Sequence, residues 1–163
     1  MILELEPVFN TNGSSYSFEY EADFCELEVA GVHPVTKPVK VSGVVKNNTG
    51  IVTLSANAVL DYCAPCDRCA ETVEARFTVP VTHNLIVSLN DEENDDFLQV
   101  ADMRLDLDEI VWEDVVLSLP VKYLCSEDCK GLCPQCGKNL NSDQCDCKKL
   151  IDPRLEGLLQ FLE

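Results

Sequence analysis

The stretch IVTLSANAVLDYCAPCDRC, residues 51–69, decides the fold class of this chain. Its apolar side chains fall on every second position, and they are Val52, Leu54, Ala56, Ala58, Leu60 and Tyr62. Alternation of period two is the pattern of a strand with one buried face. Because the strand runs directly into CAPCDRC, the sequence predicts a sheet that presents cysteines near the end of a strand.

Further strand patterns flank this stretch. A second alternating run, predicted to pair with it in antiparallel fashion, consists of Phe77, Val79, Val81, Leu85, Val87 and Leu89. Residues 39–46 precede NNTG and are predicted to form a hairpin arm leading into Ile51, and residues 15–21 are a further strand candidate. The fold is therefore predicted to be mainly β, as an antiparallel sheet or a partly open barrel with one or two short helices. An α+β fold is the alternative.

A helix is predicted near residues 107–119. Asp106 and Glu109 have the spacing of a capping box, and Pro120 ends the pattern. The apolar face consists of Leu107, Ile110, Val111 and Val115. Trp112, beside this face, is predicted to pack in the core.

The last residues predict a second, short helix. Asp152 suits the N-cap and Pro153 the first helical position. Leu155, Leu158, Leu159 and Leu162 then form one apolar stripe. We expect a β-rich region over residues 1–119 and a cysteine-rich tail with this helix over residues 120–163, packed together as one domain.

The amino-acid composition limits the partners and the location that this protein is expected to have. The net charge is −17, from 12 basic and 29 acidic residues, which repels nucleic acid and favours a basic protein partner or simple solubility. No apolar run reaches the ~18 residues of a membrane helix, and no secretory leader is recognisable. A cytoplasmic location is therefore expected, where clustered cysteines bind metal more often than they form disulfides. Extracellular disulfides are the alternative. The acidic loop 91–96 is expected to be solvated.

Nine of the ten cysteines lie in two clusters, which predict structural zinc. Cys133 and Cys136, in the string CPQCG, join Cys145 and Cys147 in one four-thiolate site. Two further half-sites remain, Cys66 with Cys69 and Cys125 with Cys129, and these are predicted to share a second ion that clips the tail onto the β region. One or two zinc ions per chain are therefore expected.

Other assignments of the cysteines remain open at this stage. In the competing partition a single ion is held by Cys129, Cys133, Cys136 and Cys145. Cys63 is a near neighbour that could exchange with Cys66. Cys25 is expected to be a buried free thiol that packs as a small apolar side chain.

The chain offers no recognisable catalytic residues. His33 and His83 lie in no nucleophile or metalloprotease motif, and a site of four cysteines leaves no open position on zinc for hydrolysis. A thiol–disulfide enzyme using Cys66 and Cys69 is the main enzymatic alternative, although the flanking strands do not match the helix start that activates such thiols. An RNA-binding zinc ribbon that uses Lys138, Lys148 and Lys149 is a second alternative.

Several strings together resemble the YceD family of large ribosomal RNA subunit accumulation proteins. They are CDRC after an alternating strand, LDLDEIVWEDVVLSLP, CSEDCKGLCPQCGKNLN, CDC and DPRLEGL. The resemblance implies a non-enzymatic factor that supports accumulation of 23S ribosomal RNA and ribosome assembly. It also implies that the zinc is structural. A basic large-subunit ribosomal protein or a pre-ribosomal particle is the expected partner, and an acidic protein suits a basic client.

Overall fold

The computed structural model describes residues 1–29, 31–87 and 97–147. Its elements in chain order are β1 (Ile2–Glu4), α1 (Glu6–Asn10), β2 (Ser15–Ala22), β3 (Val39–Asn48), β4 (Ile51–Pro65), β5 (Thr72–Ile86), β6 (Phe97–Gln99), β7 (Arg104–Asp106) and α2 (Leu107–Ser118). The prediction of a mainly β fold is confirmed. The acidic loop 91–96 and the C-terminal helix predicted from residue 152 lie outside the described residues.

A five-stranded sheet in the order β2-β3-β4-β5-β6 forms the body of the molecule and curls into a half-barrel. Strands β2 to β5 are antiparallel neighbours. The register of β4 and β5 runs from Val52 opposite Leu85 to Pro65 opposite Thr72, so these two strands form one long hairpin. Strand β6 pairs with β5 in parallel fashion, which the alternation pattern did not predict.

The alternating side chains of β4 lie in the core, as predicted. All six of the apolar residues named for that strand are buried. Gly43 in β3 permits close packing of β3 on β4, because a Cβ at that position would lie 2.4 Å from the Cβ of Ala56. Burial along the inner face of β3, β4 and β5 supplies the main apolar stabilisation of the sheet.

Helix α2 packs against the sheet through its predicted apolar face. Leu107, Ile110, Val111 and Val115 are buried. Asp106 caps the helix by accepting a 3.1 Å hydrogen bond from the Asp108 N–H, one position earlier than the predicted capping box requires. Trp112 packs edge-on against Phe24, with ring centroids 5.3 Å apart. Among the described residues, no helix is long and apolar enough to cross a membrane.

Candidate metal centre

The long hairpin ends in a turn that presents two sulfurs. Residues 66–71 connect β4 to β5, and the turn is closed by backbone hydrogen bonds from Cys66 to Glu71 at 2.7 Å and from Ala70 to the Cys66 carbonyl at 2.9 Å. Ala70 has a positive φ of 59°, which reverses the chain between the two strands. Cys66 and Cys69 are both buried, with 3% and 4% of their surface exposed.

The segment after α2 lies across this turn. The backbone N–H of Asp67 donates to the Tyr123 carbonyl at 2.9 Å, and the Tyr123 N–H donates to the Asp67 carboxylate at 2.8 Å. Arg68 extends the contact, because its guanidinium donates to the Cys129 carbonyl at 2.8 Å and its own carbonyl accepts from Leu132 at 3.0 Å. These bonds bring Cys125 and Cys129 to the turn.

We call Cys66, Cys69, Cys125 and Cys129 the clip cluster. Their four sulfur atoms all lie within 4.8 Å of one another. The Sγ atoms of Cys66 and Cys129 are 3.9 Å apart, and those of Cys69 and Cys125 are 3.5 Å apart. Four sulfurs at about 2.3 Å from a zinc ion form a tetrahedron with edges of about 3.8 Å. The donor set and its spacing therefore fit one tetrahedral ion.

Hydrogen bonds to sulfur favour the thiolate form at two positions. Burial alone would raise the pKa of Cys66, but the backbone N–H groups of Arg68, Cys69 and Cys125 lower that pKa to about 6. The Asn141 side chain donates to the Cys129 sulfur at 3.2 Å and lowers the pKa of Cys129. Donors aimed at a sulfur stabilise its negative charge, as they do around metal-bound thiolates.

The pKa values of the other two thiols in the clip cluster are raised. The pKa of Cys69 is raised to about 12 despite a hydrogen bond from the Glu71 backbone, because burial and the adjacent cysteines disfavour another charge. The pKa of Cys125 is also raised, first by Cys129. Four thiolates in contact require a cation among them, and a soft thiolate set is suited to zinc.

We call Cys133, Cys136, Cys145 and Cys147 the knuckle cluster. Their sulfurs also lie within 4.8 Å of one another. The tight turn of CPQCG is closed by the Cys133 N–H donating to the Lys138 carbonyl at 2.8 Å and by the Gly137 N–H donating to the Cys133 carbonyl at 2.9 Å. Backbone N–H groups of Cys136 and Gln135 lower the pKa of Cys133 to about 6. Neighbouring thiols raise the pKa of Cys147 to about 12, Cys136 contributing most.

Two asparagines that the sequence reasoning missed connect the clusters. The Asn139 side chain donates to the Glu71 carboxylate at 2.8 Å. Asn141 accepts from the Lys130 N–H at 2.7 Å while its amide group donates to Cys129. The NLN string that follows CPQCGK was the available signal, since an asparagine can both accept from a backbone N–H and donate to a sulfur.

The structure brings together the eight cysteines that the sequence analysis assigned to two sites, in the same two sets of four. The competing partition is not the one that the geometry favours, since Cys129 groups with the residues of the hairpin turn and not with Cys133. Cys63 is half-buried, in neither cluster. The expectation for Cys25 is wrong, because its side chain is exposed, on a turn where its N–H bonds to Asp23.

The clusters and the strand that leads into them lie inside a region shared with known proteins. The profile of the family described as "Large ribosomal RNA subunit accumulation protein YceD" matches residues 54–162, about two thirds of the chain, including all eight clustered cysteines. The chain belongs to the YceD family. The family resemblance seen in the sequence is thus confirmed.

Two proteins similar to this chain are bacterial. The protein YlbN of Bacillus subtilis, named as uncharacterized, is 32% identical over 130 residues, which cover 77% of this chain and 75% of YlbN. An uncharacterized protein of Mycobacterium bovis is 38% identical over 101 residues, or 60% of this chain and 49% of that protein.

A plant relative carries a functional name. The maize protein named as a chloroplastic large ribosomal RNA subunit accumulation protein YCED homolog is 27% identical over 154 residues, 75% of this chain and 52% of the maize protein. The alignments with the mycobacterial and maize proteins span about half the length of those relatives. No solved structure matches this chain.

Proposed function

We propose that this protein is a non-enzymatic zinc-binding accessory factor that supports accumulation of large-subunit (23S) ribosomal RNA and ribosome assembly in the cytoplasm. The observation that carries the proposal is the YceD-family match, which includes most of strand β4, helix α2 and both cysteine clusters. The name of the maize relative supports the same process.

Zinc has a structural role in this proposal. Each cluster supplies four sulfurs, so an ion held there has no open position for substrate or water. The clip cluster joins the turn of residues 66–71 to a segment 56 positions further along the chain. An ion in this cluster stabilises the packing of the tail on the sheet, and it shapes the surface that a partner would contact.

A basic large-subunit ribosomal protein is the proposed partner. The chain has 29 acidic and 12 basic residues, and this excess of negative charge attracts a cationic client while it repels ribosomal RNA. The RNA-binding alternative is disfavoured for the same reason. A pre-ribosomal particle that exposes such a protein would be recognised in the same way.

The redox alternative is also disfavoured by the geometry. A catalytic thiol must be accessible to the disulfide that it attacks. Cys66 and Cys69 are buried, and their sulfurs lie against those of Cys129 and Cys125. The low pKa of Cys66 therefore suits a metal ligand better than an attacking nucleophile.

Depletion and complementation test the proposed function. In cells depleted of the protein, we expect the ratio of large-subunit to small-subunit ribosomal RNA to fall and the wild-type gene to restore it. A Cys66→Ser, Cys129→Ser double variant should fail to restore the ratio, whereas Cys25→Ser should restore it fully. An unchanged ratio after depletion would overturn the proposal.

Affinity purification tests the partner. The tagged protein should capture basic large-subunit ribosomal proteins from nuclease-treated extract, and capture should weaken with added salt. Recovery that depends on intact RNA would favour the RNA-binding alternative. A chelator-treated sample shows whether zinc is needed for the contact.

A further inference from the structure

The half-barrel has two edges, and they differ in chemistry. Strand β2 lies at one end of the five-stranded sheet and, among the described strands, pairs only with β3. At the other end, the described residues of β6 cover β5 at Asn84–Ile86. An unpaired strand edge exposes a row of backbone donors and acceptors that an added strand can bind.

The hydrogen-bond register shows which groups of β2 face outward. The Asn47 N–H of β3 donates to the Ser14 carbonyl at 3.0 Å, next to the pair of Ser15 and Lys46. Along an antiparallel strand, successive residues point their backbone N–H and C=O groups alternately toward one neighbouring strand and toward the opposite side. Even-numbered residues of β2 therefore face β3, and Ser15, Ser17, Glu19 and Glu21 point their N–H and C=O groups away from the sheet.

Nothing in the described parts of the chain pairs with those outward backbone groups. No hydrogen bond reaches them from the described residues, and no other described strand runs alongside β2. The four side chains at these positions are exposed. The glutamates at positions 19 and 21 form no ion pair with a described residue, although Lys40 lies opposite Glu21 in the β2–β3 register, so the outer side of this edge carries two carboxylates.

The inner face of β2 indicates that a bound strand would need apolar side chains. Phe18 and Ala22 are buried, whereas Tyr16 keeps 47% of its surface exposed at the rim of the half-barrel. A strand laid against β2 would place alternate side chains beside Tyr16 and beside the glutamates. The chemistry that fits is an extended segment in which apolar residues alternate with lysine or arginine.

The opposite edge is blocked in a way that β2 is not. Strand β5 contains Pro80, opposite Asn57, and a proline has no N–H to offer an added strand. Prolines and charges are the devices by which proteins blunt exposed edges. Strand β2 contains no proline over Ser15–Ala22, and its charges are of one sign.

We propose that the outer edge of β2 is a strand-addition site for an extended, alternating basic segment of a partner protein. The partner's basic residues pair with Glu19 and Glu21 while its backbone extends the sheet in antiparallel fashion. The inference deepens the proposed function by naming how a basic client is held. Because β2 precedes residue 54, the site belongs to this chain and is not implied by the family match.

A peptide with backbone modifications tests the geometry directly. The probe is a fluorescent peptide of alternating lysine and valine, measured by anisotropy against the zinc-loaded full chain. Residues opposite Glu19 and Glu21 must exchange both N–H···O bonds with them. N-methylation at the lysines should abolish binding, whereas N-methylation at the valines should leave it within about twofold. Equal loss in both peptides, equal retention in both, or no binding of the parent would overturn the proposal.

Protein variants separate backbone pairing from charge. Ser17→Pro removes one outward N–H and leaves the β2–β3 ladder and the net charge unchanged, so we expect at least about tenfold weaker binding. A Glu19→Gln, Glu21→Gln variant should weaken binding about tenfold in low salt, and the charge-matched Glu74→Gln, Glu113→Gln variant, at exposed positions outside β2, should not. Thermal unfolding of each variant shows whether it is folded. The N-methylated peptides test the same site on the wild-type protein, where no variant can misfold.

The same variants distinguish this inference from the proposed function. If Ser17→Pro restores ribosomal RNA levels and captures ribosomal proteins as well as wild type, the client binds elsewhere and the strand-addition site is wrong while the proposed function stands. If depletion leaves ribosomal RNA unchanged but the lysine-methylated peptide alone fails to bind, the edge site stands and the proposed function is wrong.

Discussion

Tyr62 of β4 and Tyr123 of the segment after α2 stack face to face, with ring centroids 3.8 Å apart and planes inclined by 17°. Phe77 of β5 meets both rings edge-on, at 5.7 Å and 6.2 Å. This aromatic group lies beside the turn that carries the clip cluster, since Tyr123 also bonds to Asp67. The tail is thus attached to the sheet by apolar packing as well as by the hydrogen bonds at the turn.

Removal of the Tyr123 ring tests this attachment. Tyr123 is only 8% exposed, so Tyr123→Ala leaves a cavity beside Tyr62 and should lower the free energy of unfolding by about 3 kcal/mol. Urea unfolding of the zinc-loaded protein measures the change. Tyr16→Ala, at a ring that is 47% exposed, should change it by less than about 1 kcal/mol. An equal loss of unfolding free energy in Tyr123→Ala and Tyr16→Ala would show that the aromatic stack does not stabilise the tail.

The number of metal ions tests the two clusters. Native mass spectrometry should find two zinc ions per chain. Cys66→Ser and Cys133→Ser should each retain one ion, because the clusters share no ligand, and Cys25→Ser should retain two. One ion in the wild-type protein would refute the two-site assignment.

Gly131 and Gly137 form a matched pair for testing how the tail lies against the turn. Both have positive φ, of 76° and 71°, so alanine strains either position by about 1–2 kcal/mol. Only at Gly131 would the new Cβ also collide, at 2.9 Å from the Arg68 carbonyl oxygen.

We therefore expect Gly131→Ala to destabilise the protein more than Gly137→Ala. It should also speed loss of zinc from the clip cluster to a chromogenic chelator, because the Arg68 guanidinium holds Cys129 by donating to the Cys129 carbonyl. If Gly137→Ala released zinc faster than Gly131→Ala, the Arg68 contact would not be the feature that aligns the clip.

The hydroxyl of Tyr123 predicts a pH dependence. This hydroxyl is buried and has no hydrogen-bond partner among the described residues. Burial and the nearby Tyr62 raise the pKa of Tyr123 above its usual value near 10. Because the folded-state pKa lies above the unfolded value, ionisation favours the unfolded chain, so stability falls as the pH rises past ~10 toward the folded pKa.

Tyr123→Phe should therefore be as stable as wild type or more stable at pH 7, because it removes an unpaired polar group. It should also lose less stability when the pH is raised past ~10. Urea unfolding at several pH values measures both effects. Tyr16→Phe, at an exposed ring, is the control, and a larger alkaline loss in Tyr123→Phe than in wild type would contradict the interpretation.

The elements whose formation depends on residues close together in the sequence could be predicted from it. The alternation in β4 and the apolar face of α2 follow from strand and helix geometry, and both are present as expected. Parallel pairing of β6 with β5 was missed because three residues carry too little pattern. The exposed position of Cys25 was missed because a lone thiol has no periodic context.

The spacing of the cysteines by itself determined four local pairs, since residues two to four positions apart on a tight turn can direct their sulfurs to one point. Only the tertiary structure decided that Cys66 and Cys69 meet Cys125 and Cys129. That meeting depends on the length of the β4–β5 hairpin, on the return of the chain through α2 and on the bonds of Arg68 and Asp67 to the tail. The distance between these two cysteine pairs depends on the path of the many residues between them. Tertiary packing therefore sets it, and local cysteine spacing does not.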